Sequence, residues 1–233
     1  MRGVNGRVAI VIPALNEEAA LPAVLAAIPR ALEATIILVD NGSTDRTAQI
    51  ARDAGATVLQ QPERGYGAAC LMGIEHLVAT GAPDILVILD ADFADDPGLL
   101  PELFIRPILH DEVDLVLSTR TQGGAEPGSM TPVQVLGNHL QIALLRLRFG
   151  LRLTDMGPMR AIRFDRLLGL RMEDRTWGWN VEMACKAARA GLRVREVPVP
   201  YRNRIGVSKI SGTLSGVVRA GGKILYAFAK YGR

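Results

Sequence analysis

Along the first half of the chain, short aliphatic and β-branched runs alternate with segments whose apolar positions recur at helical spacing, the pattern of parallel βα units. Val8 to Ile12 is predicted to be a strand, broken by Pro13 and Asn16. Glu17 to Ile28 is then predicted to be a helix, with Leu21, Val24, Leu25 and Ile28 on one face. Thr35 to Val39 reads as a second strand ending at Asp40, and the following turn offers Ser43 and Thr44 as caps for a helix from about Arg46 to Ala54. Thr57 to Gln60 gives a third strand. The turn Gly65-Tyr66-Gly67 opens a helix through about Thr80, and Ile85 to Leu89 is a fourth strand running into Asp90. Polar residues therefore collect at the C-terminal ends of the strands, the edge at which open α/β sheets bind ligands.

The second half is less regular. Leu115 to Ser118 reads as a strand, followed by a Gly- and Pro-rich loop from Gln122 to Pro132 of a length that is often functional. Helices are expected at Val133 to about Phe149, Phe164 to Leu168 and Asn180 to Ala190, with a late strand at Val194 to Val199. The fold class is α/β, Rossmann-like, with a mainly parallel central sheet flanked by helices.

Composition sharpens this only a little. The 233 residues are 48% hydrophobic, enough for one large domain with a substantial core. A net charge of +3 permits an anionic partner without requiring one, and 5% aromatic residues offer no stacking platform, so nucleic-acid binding is set aside. Cys70 and Cys185 sit in apolar surroundings without zinc or redox spacing and read as buried thiols of a reducing compartment. His76, His110 and His139 have no ligand spacing. No signal-peptide pattern and no apolar run of about 18 residues is present, so the expected location is cytoplasmic.

The chemistry concentrates at residues 84–97, where an apolar strand runs into Asp90 and Asp92 at spacing i, i+2. Such a pair suits a hard divalent cation, Mg²⁺ or Mn²⁺, which keeps open positions for phosphate oxygens. Alone, the same acidic run reads equally as a solvated turn capping a helix that starts at Asp95, Asp96 and Pro97.

Four segments in order, VIPALNEE at 11–18, VDNGSTDRT at 39–47, RGYGAACLMGIEH at 64–76 and LDADFADDP at 89–97, resemble glycosyltransferase family 2. Within it they are most similar to the polyprenyl-phosphate glycosyltransferases, such as dolichyl-phosphate mannosyl and glucosyl transferases. The likeness spans about residues 7 to 210. It implies the GT-A fold, with a nucleotide-sugar-binding half at about 7–118, an acceptor half at about 119–212 and a C-terminal amphipathic helix at 213–233. It implies that Pro13, Ala14, Asn16 and Glu17 line the nucleotide pocket and that Asp40 contacts base or ribose. Arg64 then lies near the donor, Gly65 and Gly67 allow close backbone approach, and Asp90, Ala91 and Asp92 form the DxD metal motif. Without the family, Glu17 reads as a helix-start carboxylate and Asp40 as a turn residue. Relatives often carry Gln where this chain has Ala94, which leaves Asp95 or Asp96 as candidates for a third metal ligand.

For the acceptor half, the resemblance places Arg120 toward a phosphate and Asp155 and Arg160 near the reaction centre, a surface ion pair being the alternative. It places Glu182, after Trp177 and Trp179, on a helix near the site. It brings Arg204, Ser208 and Lys209, from an R-x-G-x-S-K segment, over the donor or acceptor phosphates. The implied reaction moves a hexose from a nucleotide sugar, of UDP-glucose or GDP-mannose type, with inversion in one in-line displacement. A polyprenyl phosphate acceptor arrives as an anion and needs no strong base. A hydroxyl acceptor needs one, and Asp155 or Glu182 are the candidates. Residues 133–153 and the tail from Thr213 mix leucines with Arg146, Arg148, Arg152, Arg219 and Lys230. Such helices suit either peripheral contact with an anionic bilayer or a packed core or homo-oligomer face. A nucleotidyltransferase lacks support, because PALNEE is not its Gly-rich signature. A non-catalytic nucleotide-binding module stays open through Ala94.

Overall fold

The computed structural model describes residues 6–206, 222 and 225–232. One seven-stranded sheet organises them, built from β1 (Val8–Ala14), β2 (Thr35–Asp40), β3 (Thr57–Gln60), β4 (Ile85–Ile88), β5 (Leu115–Thr119), β6 (Arg160–Arg163) and β7 (Val194–Pro198). Their order is β3-β2-β1-β4-β6-β5-β7. Every pairing is parallel except those of β6, which runs antiparallel to both β4 and β5. The α/β class and mostly parallel sheet expected from the sequence are therefore present.

Alternation along the strands explains the layers. Ala9, Val11, Ile37, Val39, Leu86 and Ile88 point into one apolar cluster, whereas Val8, Ile10, Ile12, Leu38, Ile85 and Val87 point into the other. A strand buried on both faces reads as a continuous apolar run, and β1, β2 and β4 do. The helices that cover the sheet are α1 (Leu21–Ala27), α2 (Thr47–Asp53), α3 (Tyr66–Thr80), α4 (Arg106–His110), α5 (Pro132–Phe149), α6 (Phe164–Leu170) and α7 (Trp179–Arg189). Helix α3 lies close on β1 at Gly73, where an added Cβ would meet both methyls of Val11. Helix α5 starts in a capping box, Thr131 accepting from the Gln134 amide while the Gln134 side chain reaches back, with Pro132 in the first turn.

Several boundaries differ from expectation for identifiable reasons. Helix α1 begins only at Leu21, because residues 16–18 are tied to the loop after β2. The Asn16 amide donates to Ser43 Oγ (2.9 Å), the Glu17 amide to Thr47 Oγ1 (2.8 Å) and the Glu18 amide to Asp45 Oδ2 (3.2 Å), while Asn16 Oδ1 accepts from the Thr44 amide (2.7 Å). Ser43 and Thr44 thus join two loops rather than cap α2, and Asp45 Oδ1 takes the Thr47 amide instead (3.0 Å). Arg120–Gly123 forms one helical turn where a loop was expected. Of the acidic turn, Asp96 alone caps, accepting from the Gly98 amide at the head of a 3₁₀ turn. Strand β6 was not anticipated at all.

Reversal of β6 matters for the site. Parallel strands present their C-terminal ends at one edge; an antiparallel strand presents its start there. The segment preceding Arg160, including Asp155, thereby joins Asp40, Asp90 and Arg120 at the same edge of the sheet.

Candidate functional site

At that edge opens a pocket of about 470 Å³. Pro13, Ala14, Leu15 and Glu17 after β1, Asn41 after β2, and Arg64, Gly65, Tyr66 and Ala69 at the start of α3 form one side; Asp90, Ala91 and Asp92 form its floor, and Trp177, Asn180 and Arg204 complete it. Most of the residues expected at the donor are brought together here.

The two carboxylates are held by different groups. Asp90 Oδ1 accepts from the Tyr66 hydroxyl (3.1 Å). Asp92 Oδ1 accepts from the Ala94 amide (3.0 Å), and Asp92 Oδ2 pairs with Arg204 Nη1 (3.2 Å). Burial, followed by the charge of Asp92, pushes the Asp90 carboxyl up to about 6, despite the Tyr66 hydrogen bond and Arg160 and Arg204 nearby. Two carboxylates that raise each other's proton affinity are a donor set that a hard divalent cation would fit. Among the described residues no third His, Cys, Asp or Glu joins them. Of the two candidates for a third ligand, Asp96 is paired with Arg202 (2.7 Å), and Asp95 is buried outside the pocket lining with both oxygens unpartnered. Burial, with Asp90 and Asp92, holds the Asp95 carboxyl well above its ordinary range. A divalent ion here would take its remaining positions from phosphate oxygens or water.

Other expected residues occupy different places. Asp40 is buried inside its own turn, where Oδ1 accepts from the Ser43 amide (2.9 Å), and does not line the pocket. Asn16 also lies outside the lining and bridges the two loops. Gly65 and Gly67 do allow a close backbone approach, but the approaching backbone is the chain's own. A Cβ on either would collide with the carbonyl of Arg175 or Asp174, and the Gly67 amide donates to the Thr176 carbonyl (3.1 Å). Gly67 is therefore a packing residue beneath the site.

Asp155 and Arg120 form a buried, bidentate pair: Arg120 Nε donates to Oδ2 and Nη2 to Oδ1, both at 2.7 Å, and the Arg120 amide adds a third bond. Burial alone would raise the Asp155 carboxyl; Arg120 outweighs it and holds the group below its ordinary value. The pair is buried, not a surface ion pair. Arg160 is 1% exposed, and its guanidinium donates to the carbonyls of Pro158 (3.1 Å) and Gly157 (2.6 Å), so no phosphate reaches it. Glu182 is fully buried. Its oxygens accept from the amides of Glu173 (2.9 Å) and Asp174 (2.7 Å) and from Lys186 (2.6 Å), fixing the segment that lies over Gly65 and Gly67. Trp179 is core, whereas Trp177 is half exposed on the pocket wall. Ser208 and Lys209 lie outside the described residues.

Sequence reasoning passed over Asn41, Tyr66 and Asn180. Asn41 clamps the loop leading to α3, donating to the carbonyls of Gln61 and Glu63 and accepting from the Gly65 amide. The signal for Tyr66 was available: a tyrosine between two glycines at a strand-to-helix turn is held at the pocket edge.

Comparisons with known proteins bear on the family and the fold. Residues 9–168 match the family model for glycosyl transferase family 2. The chain is 42% identical to an uncharacterised glycosyltransferase of Mycobacterium tuberculosis, over 91% of this chain and 94% of that protein. It is 33% identical to a dolichyl-phosphate hexose transferase of Haloferax volcanii, over 89% of this chain and 88% of that one. The fold superposes on glucosyl-3-phosphoglycerate synthase from M. tuberculosis, solved with phosphoglyceric acid, with a TM-score of 0.75 and 25% identity, covering 98% of this chain and 81% of the other. With a pocket at the C-terminal edge of the sheet and a family match across most of its length, the chain belongs to glycosyltransferase family 2 and has the GT-A fold.

Proposed function

We propose that this glycosyltransferase moves a hexose from a nucleoside-diphosphate sugar to the phosphate oxygen of a polyprenyl phosphate, with Mg²⁺ or Mn²⁺ at Asp90 and Asp92. The observation that carries the acceptor class is the state of the two carboxylates that were candidates for the base a hydroxyl acceptor needs. Asp155 is buried and saturated by Arg120, and Glu182 is buried and saturated by Lys186 and two amides. Neither is placed to take a proton from a substrate in the pocket. A phosphate acceptor is already anionic and asks for no base. The likeness to a dolichyl-phosphate hexose transferase supports the same class.

In this reading Pro13, Ala14, Glu17 and Arg64 receive the nucleotide and the carboxylate pair marks where its diphosphate lies. Asp90 and Asp92 would hold a divalent cation there, which would neutralise charge developing on the departing diphosphate. The acceptor oxygen attacks the anomeric carbon in line as that bond breaks, giving inversion without a covalent enzyme intermediate. Arg204, and Ser208 and Lys209 beyond it in the chain, orient the phosphates.

A lipid acceptor also requires access to a bilayer. No helix among the described residues is long and apolar enough to cross a membrane. Peripheral contact fits α5, which carries no acidic residue. Leu136 is 72% and Leu147 87% exposed on it, beside exposed Arg146 and Arg148. Such a face suits an anionic bilayer surface.

The test is a panel of nucleotide sugars with Mn²⁺ or Mg²⁺, with and without a short polyprenyl phosphate, read as released nucleoside diphosphate. The reading expects metal-dependent release that the lipid phosphate stimulates and Asp92→Ala abolishes. Release that the lipid phosphate leaves unchanged would move the acceptor elsewhere.

A further inference from the structure

Arg204 has a position that its expected role, orienting a phosphate, does not explain. Its Nη1 sits 3.2 Å from Asp92 Oδ2, the only oxygen of that carboxylate not already taken by the Ala94 amide. Asp92 Oδ1 keeps a lone pair beside that amide bond, so a cation can reach Asp92 through either oxygen, but at this carboxylate it meets the charge of the Arg204 guanidinium. The backbone on both sides of Arg204 is fastened to the same loop: the Arg202 amide donates to the Ala94 carbonyl (2.9 Å) and the Ile205 amide to the Asp92 carbonyl (3.0 Å). Arg202 adds an ion pair to Asp96 (2.7 Å), and the Asn203 amide donates to Glu126 Oε2 (2.7 Å). The main chain of Arg204 is thus anchored beside the carboxylates. Its side chain is 28% exposed and lines the pocket.

We propose that Arg204 stands in for the cation at Asp92 in the metal-free enzyme and transfers to the donor's diphosphate when metal and nucleotide bind together. This rests on the donor-site reading above and deepens it. Three charges decide the outcome. With no ligand, Arg204 compensates a pair of apposed carboxylates that would otherwise repel. A metal arriving alone either faces the guanidinium's charge or displaces it from Asp92, and either cost weakens its binding. A nucleoside diphosphate supplies that partner, and guanidinium groups bind phosphate oxygens well. Metal and diphosphate therefore assist each other through Arg204, beyond the assistance they give by touching. Coupling of this kind is reciprocal, so the nucleotide also binds weakly without metal. The arrangement keeps the carboxylates apart from stray cations until a donor is present.

The experiment is Mn²⁺ binding, read by electron paramagnetic resonance, to wild type, Arg204→Gln, Arg204→Met and Arg204→Lys, each without nucleotide and with saturating UDP or GDP. Circular dichroism and the thermal midpoint check folding. Removal of the charge is expected to tighten binding of Mn²⁺ alone by about tenfold, which corresponds to about 1.4 kcal/mol. It is expected to shrink the gain that the nucleotide gives, and Arg204→Lys is expected to stay close to wild type in metal-only affinity. A residue that only held the loop in place would weaken both measurements together. Unchanged or weaker Mn²⁺ binding in both neutral variants would overturn the stand-in role and leave the donor site intact. A wild-type protein that binds neither Mn²⁺ nor nucleoside diphosphate would overturn the donor-site reading and this inference with it.

Discussion

Asp155 has no exposed surface, and its charge is satisfied by the Arg120 fork and by backbone amides. Removing that charge strands a buried guanidinium, and breaking a buried pair from one side costs about 3–5 kcal/mol. Asp155→Asn is therefore expected to lower stability by an amount of that order in chemical denaturation, with activity falling through loss of folded protein. The same pair gives a pH dependence of definite sign. Arg120 holds the folded carboxyl below its ordinary value, so the stabilisation is complete above the unfolded pKa of about 3.9 and is lost as pH falls through the lower folded value. Acid unfolding of Asp155→Asn should lack that component. Glu182 makes a second case. Glu182→Gln should cost about 1–3 kcal/mol, because one of its two amide donors or Lys186 loses its acceptor. The pH profile of turnover should not move; a shift would return Glu182 to the chemistry. Neither role was legible from sequence, since Asp155 and Glu182 owe their burial to partners far along the chain or across a turn. The position of Asp90 and Asp92 at the pocket floor was legible because both follow directly on an apolar strand.

At the scale of elements, β1, β2 and β4 announced themselves through unbroken apolar runs, and α3 and α5 through helical spacing. Strand β6 did not, because its four residues include two arginines, and only pairing with β4 and β5 makes it a strand. The start of α1 was obscured for a related reason: Asn16 to Glu18 have helix-start chemistry but spend it on the loop at 43–47. Gly65 and Gly67 were correctly singled out for close approach, while the approaching group, the 174–176 backbone, comes from more than a hundred residues away and left no local trace. Helix α5 presents its exposed leucines on one side and no acidic residue. Leu136→Ser with Leu147→Ser should change stability by no more than about 0.5 kcal/mol each, as solvent-exposed substitutions do. The double variant should float with anionic vesicles less than wild type does at low salt. Equal flotation would place the membrane contact elsewhere.

For the whole molecule, the consequence of one reversed strand is that both halves of the chain deliver groups to a single edge. The sheet's parallel strands bring the carboxylate pair, Asn41 and the first loop; the reversed β6 brings Asp155 under Arg120, which in the proposed reading would steady the acceptor side without offering a base. That division predicts which acceptor atom the enzyme uses. The most direct measurement is transfer of labelled hexose to a short polyprenyl phosphate and, in parallel, to the same polyprenol without its phosphate, with product recovered in the organic phase. A phosphate-oxygen acceptor predicts labelled lipid from the phosphate alone, cleaved by mild acid as a glycosyl phosphate is. Label appearing on the polyprenol would mean that a hydroxyl is deprotonated in the pocket, and would contradict the account.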